Sequence, residues 1–96
     1  MAYRYEFLAA AARDLFKLTS HNPAPLVDIA TTHIPAILRD PTAAGAAKQG
    51  DIGHVRAYNL RVHGVAYRMV YTVEHDVVTF VALGPHDAAY ARARRR

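Results

Sequence analysis

Between Tyr58 and Val73 the chain alternates apolar and polar residues at period two on both sides of one glycine, Gly64. Successive side chains on a strand point to opposite faces, so two such runs joined by a tight turn read as an antiparallel hairpin with one apolar face. With Gly64-Val65 as the two-residue turn, glycine takes the first central position, as a type II′ turn prefers. Counting outward, His63 faces Ala66, Val62 faces Tyr67 and Arg61 faces Arg68. Residues 59, 61, 66, 68, 70 and 72 then share the solvent face. Tyr58, Leu60, Val62, Tyr67, Met69, Tyr71 and Val73 form the core side. Two arginines placed opposite each other repel by roughly a few tenths to 1 kcal/mol. An anion between them reverses the sign, because guanidinium forks grip phosphate bidentately. The alternative is two long side chains splaying into water.

The apolar face of the hairpin needs a covering layer, and the N-terminal half supplies it. Tyr3 to Phe7 alternates as a short strand. From Ala9 an alanine run followed by Leu15, Phe16 and Leu18 reads as an amphipathic helix ending near Ser20, where Asn22-Pro23 breaks it. A second helix over Ala24 to Arg39 carries Leu26, Ile29, Ala30, Ile34, Ile37 and Leu38 on its apolar side. Pro35 lies inside it and should kink or split it near Thr32, since it lacks an N–H and clashes with the preceding turn. Thr42 to Gly53 reads as a mobile loop. His54–Val62, Ala66–Val73 and Val77–Leu83 read as strands, Glu74-His75-Asp76 as a turn, and His86 to about Arg95 as a short helix after Gly84-Pro85. The expected fold is α+β: two N-terminal helices packed on one face of a small, mainly antiparallel four-stranded sheet, in the order β-α-α-β-β-β with a short C-terminal helix. Residues 1–96 leave room for one domain.

Charge narrows the partner. Twelve Lys and Arg against eight Asp and Glu give +4, and the excess is uneven. Between Pro41 and Thr72 the charged residues are Lys48, Arg56, Arg61 and Arg68 against Asp51, and the tail adds Arg92, Arg94, Arg95 and Arg96. Such a surface favours a polyanion, although a solubilising charge excess has the same composition. The chain has no cysteine, which excludes a disulfide framework and a thiolate metal site. His21, His33, His54 and His75 have no metal-ligand spacing. The run Phe7 to Ala12 is too short for a signal core, and no apolar stretch approaches a membrane span, so a cytoplasmic protein with no membrane partner is expected.

The segment Ala57-Tyr58-Asn59-Leu60-Arg61-Val62-His63-Gly64-Val65-Ala66-Tyr67-Arg68-Met69-Val70-Tyr71 resembles the RelE/ParE superfamily of toxins, in which a basic strand turns into a Tyr-Arg-apolar-Val-Tyr strand. The strand from Asp76 to Gly84 and the ending Gly84-Pro85-His86-Asp87-Ala88-Ala89-Tyr90 are similar to the family's last strand and final motif. The helical half ending in Asp40-Pro41 also resembles the family. The match therefore covers nearly the whole chain. It implies the toxin of a type II toxin–antitoxin pair, of RelE type: a metal-free, cofactor-free endoribonuclease that cuts messenger RNA on the ribosome, inhibits translation and is neutralised by a cognate antitoxin. In that reaction a ribose 2′-hydroxyl attacks the neighbouring phosphate and leaves a cyclic phosphate. It needs a proton acceptor, cations for the phosphorane and a donor to the leaving 5′ oxygen.

By position Arg68 matches the family's phosphate-stabilising arginine, and Arg61 a basic strand residue of similar role. Asn59 stands where RelE has a lysine implicated in proton transfer, and asparagine does not titrate. His86 stands near a position that is histidine in some ribosome-dependent relatives, so proton transfer is assigned to it. His63 beside the arginines is the reserve. Tyr90 would stack on a base or orient the scissile nucleotide, with Lys48, Arg56, His63 and Asn59 completing the RNA-binding set. His86 also reads as the start of the last helix, and Tyr90 as the anchor that docks it. The loss of the lysine keeps a second reading open: a ParE-like gyrase poison, or an inactive member of the family.

Overall fold

In the computed structural model, which describes residues 3–20, 22–47, 55–62 and 64–96 (86–88 and 90 by backbone alone), the hairpin about Gly64 forms the middle of the sheet. Strand β3 (Arg56–Val62) pairs antiparallel with β4 (Val65–Glu74), and β4 with β5 (Val77–Pro85). The first strand, β1 (Arg4–Phe7), lies parallel to β5 at one edge. At the other edge β2 (Ala46–Ala47) pairs with Ala57 and Arg56. The order is β1-β5-β4-β3-β2. The α+β class holds, with five strands where four were expected, because part of the expected loop is ordered. Pro41–Ala44 is a short helix, α4, and Ala46–Ala47 a strand. Residues 48–54 lie outside the described part.

The hairpin register differs from the expected one. Val62 pairs with Val65, Arg61 with Ala66 and Asn59 with Arg68, so Arg61 and Arg68 do not face each other. Gly64, at φ +80°, stands directly before Val65, the first residue of β4, rather than opening the turn; this left-handed conformation is one glycine adopts without cost. The displacement is two residues along the partner strand. A shift of two keeps every side chain on its face, whereas a shift of one would have exchanged the faces.

Helices α1 (Ala9–Thr19), α2 (Ala24–Asp28) and α3 (Ile34–Arg39) cover the core face. Ala11, Ile29, Ile34 and Ile37 pack there on Leu60, Val62, Met69, Tyr71, Val78, Phe80 and Leu83. Between α2 and α3 residues Ile29–His33 form a π turn, in which the Ile34 amide donates to the Ile29 carbonyl. Pro35 accounts for it: with no N–H to give, the helix widens ahead of the ring. The turn inserts one residue into the inward spacing of Pro25, Ile29, Ile34 and Ile37. Leu26 and Ala30, read as apolar-side residues, are therefore exposed, as is Phe16 on α1, at 76%.

The opposite face is not open over its whole length. Helix α5 (His86–Arg94) folds back on it. Ala89 and Ala93 close over Val70, Val81, Ala82 and Val55, so Val70, expected on the solvent face, is fully buried. A bulge sits beneath: Val70 pairs with Ala82 and Tyr71 with Phe80, leaving Val81 as the extra residue of β5. Among the described residues no helix is long and apolar enough to cross a membrane.

Candidate functional site

Arg68 stands mid-strand at the centre of the sheet, with Asn59 of β3 on one side and Gly84 of β5 on the other. It is 9% exposed, and its Nε donates to Asn59 Oδ1 at 3.0 Å. Fixing Nε fixes the plane of the guanidinium and so the direction of its fork. Asn59 is thereby the cross-strand neighbour that orients the central arginine.

Arg61 lies diagonal to Arg68 on the same face, a separation of about 7–8 Å for this type of cross-strand pair. Unlike Arg68 it is exposed, and Nη1 donates to the Gly64 carbonyl at 3.1 Å. A cleft of about 360 Å³ beside it is lined by Asn59, Leu60, Arg61, Ala66 and Tyr67. Arg61 also borders a second cleft around the β3 edge, with Asp28 and Thr31 across from it. Asp28 Oδ2 is 3.1 Å from His33 Nε2, and His33 Nδ1 is 2.9 Å from the Tyr58 hydroxyl, so the π turn is tied to β3. Burial first, and the Asp28 charge second, raise the Tyr58 pKa.

Other expected site residues separate. Arg56 Nη1 donates to the Thr42 and Gly45 carbonyls at 2.7 and 2.9 Å. It fastens the segment after α3, alongside Tyr71, whose buried hydroxyl donates to the Pro41 carbonyl at 2.6 Å. Lys48 and His63 lie outside the described residues. His86 is the first residue of α5, two positions after the Gly84 that pairs with Arg68, and Tyr90 lies one turn on. Their backbone places them at the Arg68 end of the sheet, and their side chains are outside the description.

One charged residue went unread. Asp14 on α1 is buried at 6%. It accepts the Leu83 amide at 3.1 Å and Arg96 at 2.7 and 3.1 Å, with Arg92 Nη1 3.7 Å away. Burial alone would raise its pKa. Hydrogen bonds from Arg96 and Leu83, with the charges of Arg96 and Arg92, outweigh that and hold it below its ordinary value. Two of the tail arginines counted toward a polyanion surface are thus turned inward. The sequence did carry a signal: Asp14 sits with Ala11, Leu15 and Leu18 on the inward stripe of α1.

The sequence from residue 8 to 94 matches the ParE-like toxin family of type II bacterial toxin–antitoxin systems. The chain is a member of that family. Comparison with curated proteins gave no match. Among solved structures, a free-state variant of the Escherichia coli toxin RelE is similar at 26% identity and TM-score 0.72, over 100% of this chain and 98% of that one. The intact E. coli RelBE toxin–antitoxin complex is similar at 26% and 0.65, over 88% and 96%. The RelBE2 complex of Mycobacterium tuberculosis shares the fold at 23% and 0.68, over 90% and 100%. The toxin's helical side also carries an apolar cleft of about 250 Å³ between Phe7, Ala12, Leu15, Phe16, Thr19 and Leu26.

Proposed function

We propose that this toxin is a ribosome-dependent, metal-free endoribonuclease that cuts messenger RNA by 2′-hydroxyl attack and so inhibits translation. The observation that carries the reading is Arg68: an arginine at the centre of a sheet, its guanidinium plane set by Asn59, with Arg61 diagonal to it on the same face. An arginine is costly to desolvate at such a position, and an apolar side chain would serve the fold as well. Its use is electrostatic. The phosphorane gathers charge on its equatorial oxygens, and a preset fork stabilises that charge without reorganising. Arg61 holds the phosphate from the open side. His86, beginning α5 beside this row, is assigned the proton transfer, and Tyr90 one turn on contacts a base. The likeness to RelE over the whole chain supports this choice.

The partner we propose is a cognate antitoxin, supported by the toxin–antitoxin complexes among the similar structures. Its amphipathic segment would cover the apolar cleft of α1 and α2, where Phe16, Val27 and Leu26 are 76, 59 and 40% exposed.

The nuclease reading is tested by inducing the toxin and mapping 5′ ends on translated messages. Codon-phased cuts are expected, reduced about a hundredfold or more by Arg68→Ala. DNA breaks without message cleavage would replace this reading with gyrase poisoning.

A further inference from the structure

Where β1 ends, the outer edge of β5 presents backbone groups with no strand beside them among the described residues. Such groups must find partners when covered. Here the partners are side chains of α1 on one face of the sheet, and of α5 and the residues just after it on the other. The Leu83 amide donates to Asp14 of α1. The Leu83 carbonyl accepts Arg92 Nη1 of α5 at 2.7 Å, and the Val81 carbonyl, on the bulge, accepts Arg96 Nη1 at 2.8 Å. Asp14 then joins both arginines, so the carboxylate of the first helix fastens the last one around the sheet edge. Gly84 keeps the passage clear, since a Cβ there would stand 2.5 Å from Arg92 Nη1.

We propose that Asp14 is a positioning residue of the candidate site: by latching Arg92 and Arg96 it keeps α5 docked and holds the block from Gly84 to Tyr90 against Arg68. The apolar packing described for this helix is a weak hold. Among the described side chains, its inward residues Ala89 and Ala93 are small and bury little surface. The polar latch therefore sets whether α5 is docked, although Asp14 touches neither arginine of the phosphate row. The catalytic half of this inference rests on the nuclease reading; the docking half does not.

Asp14→Asn separates the latch from the fold, because the amide oxygen still accepts the Leu83 N–H while the charge that holds the arginines is lost. Arg96→Gln cuts the same latch from the other end, outside the core. In both variants backbone amides of α5 should exchange about tenfold faster or more, with β4 and β5 amides on the helix-covered side still protected. Single-turnover cutting on programmed ribosomes should fall about tenfold, with ribosome affinity kept. A purely structural role would instead lower the active fraction in step with global unfolding. Unchanged α5 protection in both variants overturns the proposal, as does a loosened helix with full cutting. A wild-type toxin that arrests growth without cutting messages overturns the nuclease reading alone, and the latch is then judged by α5 protection together with growth arrest.

Discussion

Beneath α1 and α3 the sheet is held by aliphatic and ring packing: Phe80 is fully buried, with Tyr71 edge-on at 5.9 Å and Phe7 tilted against it at 4.9 Å. Beneath α5, among the described residues, two alanines meet a valine-lined strip, and Asp14, Arg92 and Arg96 add a polar hold. Apolar packing has no direction and tolerates exchange of similar volumes, whereas a buried polar cluster works only when all its members are present. The first face therefore carries the stability of the toxin. The second carries the proposed site, on elements whose docking, in the latch proposal, depends on a few charged contacts.

That contrast breaks most plainly at Phe80. Phe80→Ala should lower stability by about 3–5 kcal/mol, read as a lower urea midpoint with unchanged slope; a loss under about 1 kcal/mol would mean that the helix face is not the main store of stability.

A smaller effect tests the other face through pH. Asp14 has a folded pKa below its ordinary 3.8. A depressed carboxylate contributes stability that is fully present above the unfolded value and is lost as pH falls through the folded one. The charged groups facing it are Arg96 and Arg92. The stability gap between wild type and Asp14→Asn should therefore be widest near neutrality and narrow below 3.8. A gap independent of pH would remove the latch's charge from the account.

The smallest effect on the fold is expected at Phe16, which is 76% exposed. Phe16→Ser should change stability by no more than about 0.5 kcal/mol, yet weaken neutralisation by the antitoxin in a co-expression growth assay. Full neutralisation would move the antitoxin to another surface.

What the sequence made legible follows the same division. Period-two alternation identified both faces of the hairpin, and the error in register spared them because it was two residues. The turn was misplaced because glycine suits either central position, depending on which residue needs positive φ. Pro35 announced the break in the second helix, but not that the chain would answer with a π turn and turn Leu26 outward. The role of Asp14 was out of reach, since its partners Leu83 and Arg96 are 69 and 82 residues away. Arg56, Arg92 and Arg96 looked like a polyanion surface because a charge count does not tell an inward guanidinium from an outward one. The family resemblance, carried by local motifs, was legible throughout.

The nuclease proposal makes the face bearing Arg68 a site of transphosphorylation. It is tested most directly by the ends of message cut on programmed ribosomes by purified toxin. The expected products are a 2′,3′-cyclic phosphate and a 5′ hydroxyl, absent with Arg68→Ala while the urea midpoint stays within reach of wild type. Intact message with the wild-type toxin, or the same products at the same rate from Arg68→Ala, would contradict it.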